Sequence, residues 1–138
     1  MNNPLMKCPC GSSKDFADCC EPHLLMKTKP LSARAMVRAR YCAYALGAGT
    51  HREFLLRTWH PDTPQTVTAA DLTNDNQHWT GLEILKAEQK RDRAMVEFKA
   101  TYKDGEGKAH THHEVSLFER VKGVWLYVDG QVENRQRT

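Results

Sequence analysis

The sequence predicts an α+β chain in which helices come first and one antiparallel sheet follows. Two observations carry this expectation. Apolar side chains recur at helical spacing between residues 33 and 59, and from residue 81 onward the period changes to two. A third sets the first thirty residues apart, where Cys, Pro, Lys and Ser accumulate with little hydrophobic periodicity. The expected organisation is a Cys-rich knuckle over residues 1–30, an α+β unit over 31–132 and a polar tail over 133–138.

Ser32 can cap a first helix over residues 33–48, a stretch of good helix formers. Val37, Tyr41, Tyr44 and Ala48 share one face of it, and Gly47 and Gly49 end it. A shorter helix is expected over residues 50–59, with Phe54 and Leu55 inward. His60-Pro61 stops it, because a residue before proline is pushed out of the helical region. Residues 68–75 read as one more helical turn, capped by Thr68.

Strands follow at 81–89, 94–102, 109–120 and 124–130. In the second, Met95, Glu97, Lys99 and Thr101 alternate with Val96, Phe98, Ala100 and Tyr102, the signature of a half-buried antiparallel strand. Arg91-Asp92, Asp104-Gly105-Glu106-Gly107 and Lys122-Gly123 are turn chemistry, so the strands should form a meander with the helices on one face.

Composition excludes some classes of function. Of 138 residues, 40% are hydrophobic and 27% charged, which suits a folded domain and not a disordered tail. The apolar stretches are far too short for membrane insertion. Met1-Asn2-Asn3-Pro4 lacks the basic head and apolar run of a secretory signal, so a cytoplasmic location is expected. A net charge of +3 permits contact with nucleic acid without calling for it.

Chemistry concentrates in Cys8-Pro9-Cys10-Gly11-Ser12-Ser13-Lys14-Asp15-Phe16-Ala17-Asp18-Cys19-Cys20. Clustered thiols in a reducing compartment usually hold a metal, and Zn2+ takes four soft donors in a tetrahedron. Pro9 and Gly11 can shape a turn that aims Cys8 and Cys10 at one point, while backbone amides donate to the thiolates. Phe16 can pack over the site, and Lys7 and Lys14 can offset its charge. Cys19 supplies a third donor and Cys20 a fourth, with His23 as the alternative fourth ligand. A vicinal Cys19–Cys20 disulfide, redox-active thiols or plain buried thiols are the competing readings. A closed four-donor site leaves no vacancy for a reacting water, so it is structural. Cys42, on the first helix, reads as a small buried thiol.

This spacing, Cys-x-Cys, eight residues, then Cys-Cys, resembles the SEC-C motif of the SecA translocation ATPase, in which the last ligand is Cys or His. Further motifs fall in order along the chain: Arg38-Ala39-Arg40-Tyr41-Cys42-Ala43-Tyr44, Leu56-Arg57-Thr58-Trp59-His60-Pro61, Trp79-Thr80-Gly81-Leu82-Glu83-Ile84, His113-Glu114-x-Ser116-x-Phe118 and Trp125-Leu126-Tyr127-Val128-Asp129-Gly130. Together they are similar to the YchJ-like family, uncharacterised bacterial proteins that join a SEC-C motif to an NTF2-like domain. Ser13 stands where that family usually has glycine, and there is no second Cys motif near the C-terminus.

The resemblance implies an NTF2-like cone, helices wrapped by a curved antiparallel sheet, whose mouth can become a pocket. Arg38, Arg40, Trp59, His60, Trp79, His113, Glu114 and Asp129 are the residues that could line it. His60 or His113 would then act as base and an Arg as anion holder. The plainer expectation makes Trp59 and Trp79 core, His60 the cap of a chain reversal, and the arginines partners of Glu114 or Asp129. His110 and His112 share one strand face and His113 the other, so a solvated face is expected over a His metal site. The resemblance also implies partner contact: a non-enzymatic adaptor docking on a protein through the knuckle, with self-association of the sheet face as a further expectation.

Overall fold

A computed structural model describes residues 6–47, 51–62 and 78–132. Among these, a 3-10 turn at Phe16–Asp18 and a short helix α1 (Glu21–Leu24) belong to the N-terminal segment. Helices α2 (Ala33–Ala45) and α3 (Arg52–Arg57) precede strands β1 (His78–Lys90), β2 (Arg93–Lys103), β3 (Ala109–Val121) and β4 (Val124–Val132). The fold is α+β, as the change of period predicts. The turn over 68–75 and the tail over 133–138 lie outside the described residues.

Helix α2 begins where its cap does. The Ser32 hydroxyl accepts the Ala35 backbone N–H at 3.0 Å. It ends three residues earlier than expected, through Leu46 and a left-handed Gly47 at φ 120°. Ala33, Ala39 and Ala43 keep its buried side small, so the helix lies close against β1 and β2.

The sheet is an antiparallel meander in the order β1-β2-β3-β4. Its inner face carries Val96, Ala100, Phe118 and Trp125, which meet Met36, Val37, Phe54 and Leu55 in one continuous core. Each fully buried large side chain there contributes roughly 1.5–3 kcal/mol. Register shifts between Trp79 and Gly81, between Ile84 and Lys86, and between Leu117 and Phe118 bend the strands into a curved sheet. The chain leaving α3 is tied to β4, since the His60 N–H donates to the Tyr127 carbonyl and the Tyr127 N–H to the Thr58 carbonyl, both at 2.8 Å.

Candidate metal centre

The N-terminal segment is a small hairpin. Lys7 and Asp15 form an antiparallel bridge, the Phe16 N–H donates to the Met6 carbonyl, and the Cys8 N–H to the Lys14 carbonyl, both at 2.9 Å. Between these rungs the chain turns through two left-handed residues, Gly11 at φ 84° and Ser13 at φ 73°. Ser13 therefore adopts the conformation that glycine takes without strain. The 3-10 turn then reverses the chain and delivers Cys19 and Cys20 to the sulfurs of Cys8 and Cys10.

All four Sγ atoms lie within 4.8 Å of one another. The Cys10–Cys19 separation is 3.7 Å and the Cys19–Cys20 separation 3.9 Å. A tetrahedral site with metal–sulfur bonds near 2.3 Å has sulfur–sulfur edges of about 3.8 Å. The donor set therefore fits one ion. All five cysteines are free thiols, so the vicinal pair is not a disulfide. Cys8, Cys10 and Cys20 are buried and Cys19 is partly exposed.

Crowding divides the thiol acidities. The thiols of Cys20, Cys42 and Cys8 all donate toward Cys10 and hold it far below the ordinary thiol range. Contact with Cys10 raises Cys8, but contacts with Cys20 and Cys42 and the Cys10 backbone N–H leave it at about 6. Donation to Cys10 pushes both Cys20 and Cys42 up, and burial raises Cys19. A bound cation would reverse that crowding, because it favours every thiolate at once.

The surroundings depart from the sequence reading at several residues. His23 is turned away, its Nδ1 2.7 Å from the Thr28 hydroxyl, and the group of four sulfurs forms without it. Lys7 is taken by Asp15 at 3.2 Å. The cation at the sulfurs is instead Arg38, whose Nη1 donates to the Cys10 carbonyl at 2.9 Å and lies 3.7 Å from the Cys10 Sγ. Cys42 is a buried thiol as expected, and its Sγ lies 3.4 Å from that of Cys8. Arg38 and Cys42 sit one turn apart on α2, and that spacing was the signal available in the sequence. The Ser12 hydroxyl, 3.1 Å from the Cys19 Sγ, completes the surround.

The cone mouth receives only part of its expected lining. Arg40, Trp59, Trp79 and Glu114 line one cavity between α2 and the sheet. Arg38 lies at the sulfurs. His60 caps the chain reversal, its Nδ1 accepting the Asp62 N–H at 3.0 Å while Nε2 meets Glu119 at 2.7 Å. His113 is on the outer sheet face beside Glu97, and Asp129 accepts the Gly130 N–H. The residue beside Glu114 in the cavity is His112. No ion pair joins Arg38 or Arg40 to Glu114 or Asp129 among the described residues. His110, His112 and His113 each meet a carboxylate of their own, Asp104, Glu114 and Glu97, and do not converge.

Comparison with known proteins agrees with this geometry. The model of the family described as YchJ, middle NTF2-like domain, matches residues 32–130, and that of the SEC-C motif matches residues 7–22. The chain belongs to the YchJ family. Members similar to it include a UPF0225 protein of Deinococcus radiodurans, 39% identical over 91% of this chain and 89% of that one. Another is the UPF0225 protein SCO1677 of Streptomyces coelicolor, 37% identical over 93% of this chain and 97% of that one. Among solved structures, the solution structure of RPA3114, a SEC-C motif containing protein from Rhodopseudomonas palustris, superposes with a TM-score of 0.83 at 31% identity. It spans 91% of this chain and 98% of that one. The NTF2-like fold of the YchJ family is thus the fold of this chain.

Proposed function

We propose that the chain is a non-enzymatic adaptor in which Cys8, Cys10, Cys19 and Cys20 hold one Zn2+ that fixes a docking surface for a protein partner. The observation that carries this reading is the mutual spacing of the four sulfurs, close to the edges of one tetrahedron. An all-thiolate set selects soft ions, and zinc is the common one that needs no redox chemistry. When bound, the ion supplies a crosslink between the hairpin and the turn before α1. Four protein donors leave no vacancy for a reacting water.

Docking is supported by what surrounds the site. Leu25, Met26 and Leu31 follow the last thiol with exposures of 53%, 42% and 89%, and exposed Met6 precedes the first. Exposed large apolar side chains in the segment that carries the site favour contact with another protein over contact with nucleic acid. Lys7, Lys14, Lys27 and Lys29 of the segment are nearly matched by Asp15, Asp18 and Glu21, and Lys7 is already paired.

Crosslinking capture with zinc-loaded chain, chelator-stripped chain and a Leu31→Asp variant tests the reading. Partners held by the zinc form should be lost from the other two. If the stripped chain keeps every partner, docking through the knuckle is wrong. If the captured material is nucleic acid that leaves steeply with rising salt, the partner class is wrong.

A further inference from the structure

The face of α2 that carries Arg40 and Tyr44, different from the one at the sulfurs, closes a cavity of about 340 Å3 against the sheet. Most of its wall is aromatic, with Tyr41, Trp79, Phe98 and Tyr102 all facing in. Tyr102 packs against Trp79 at 4.8 Å between ring centroids, and Trp79 meets Tyr41 edge-on at 6.1 Å. The volume lies at the small end of ligand sites, enough for one or two fused rings and a short arm.

One wall residue is out of balance. Arg40 is 8% exposed and carries a full positive charge, because a guanidinium stays protonated even where burial lowers its pKa. Its Nη1 donates to the Leu55 carbonyl at 3.0 Å and the Thr58 hydroxyl at 2.6 Å, and the Tyr44 phenol is a further polar neighbour. The rings of Trp59 and Tyr127 hold its plane, 5.4 and 5.0 Å from the guanidinium carbon. Among the described residues no carboxylate lies within ion-pair distance of it. Buried charges are ordinarily paired, since an unpaired one is costly. The cavity's own carboxylate, Glu114, is committed to Ser116 at 2.6 Å, His112 at 2.7 Å and Tyr127 at 3.1 Å. The indole N–H of the wall residue Trp59, like that of the core residue Trp125, is buried without an acceptor.

We infer that this cavity binds a compact aromatic monocarboxylate, its acid group on the Nε–Nη2 edge of Arg40 beside the Tyr44 phenol and its ring among Trp79, Phe98 and Tyr102. The planar fork of a guanidinium matches a carboxylate with two parallel hydrogen bonds. The fixed negative charge of Glu114 in the same small space disfavours a dianion, which separates a monocarboxylate from a phosphate. This inference is independent of the metal centre.

The test uses the full zinc-loaded chain in two-dimensional 1H–15N spectra. The probes are indole-3-acetate, its neutral amide, and phenyl phosphate. The acid should bind saturably and shift the indole N–H signals of Trp59 and Trp79 while leaving that of the core residue Trp125 in place. The amide should bind about tenfold or more weakly, because it forfeits the charge-assisted pair. Arg40→Met should abolish the difference between acid and amide. If that variant does not fold, the comparison of acid with amide on the unaltered chain decides alone. Equal binding of acid and amide, tighter binding of the phosphate, shifts mapping outside the cavity, or no saturation by about 10 mM overturns the inference.

Discussion

Glu114 illustrates how one buried residue can be made to favour its charge. Burial alone would push its carboxyl up, but hydrogen bonds from His112, Ser116 and Tyr127 outweigh that and hold it below its ordinary 4.5. A folded-state value lower than the unfolded one means that the carboxylate stabilises the fold above pH about 4.5. The contribution is lost as pH falls through the folded value. Glu114→Gln should therefore cost about 1–3 kcal/mol in denaturant unfolding at pH 7, and the gap to the unaltered protein should narrow as pH falls below about 4.5. Gly130 belongs to the same network, since a Cβ there would overlap the Glu114 carboxylate and the Tyr127 hydroxyl. Gly130→Ala should destabilise by a comparable amount. A pH-independent difference for Glu114→Gln would contradict this assignment of the charge.

Much of the inner face was legible residue by residue. Val37, Arg40, Tyr41 and Tyr44 follow helical spacing, so Arg40 belongs to the inward stripe and Arg38 to another face, although both were expected in the mouth. Strand parity likewise places His112 with Glu114, Ser116 and Phe118, and turns His113 outward. Asp129 could not be read in this way. It shares parity with Tyr127, but the register shift opposite pairs Tyr127 with inward Phe118 and Asp129 with outward Leu117. A bulge of this kind is set by sheet curvature and leaves no local signal.

Among the elements, α2 connects most. One face holds Arg38 and Cys42 against the knuckle, and another supplies Val37, Arg40, Tyr41 and Tyr44 to the cavity. The helix start, the strands and their turns were readable because Ser32, the period-two alternation and the Asp/Gly turns act locally. The 3-10 turn and α1 were not, since neither has a periodic apolar pattern and both are positioned by the hairpin and the sulfurs. Apart from the thiols themselves, the knuckle joins the core only through Leu24 and the partly buried Phe16. Chelation should therefore release hydrogen-exchange protection at residues 8–24 by orders of magnitude, as a structural zinc supplies on the order of 10 kcal/mol to such a segment. Amides paired between β2 and β3 should keep theirs. Uniform loss across the sheet would show that the metal stabilises more than the knuckle.

At the scale of the whole molecule, a sheet-and-helix body presents a thiol cluster against one face of α2 and encloses a small aromatic cavity behind another face. No helix among the described residues is long and apolar enough to cross a membrane. The account rests most heavily on the thiol cluster, and metal content tests that directly. Native mass spectrometry of reduced, purified chain should find one zinc per molecule, lost in a Cys8→Ser/Cys10→Ser variant and retained in His23→Ala. Metal-free protein with residues 8–20 still well ordered would contradict it.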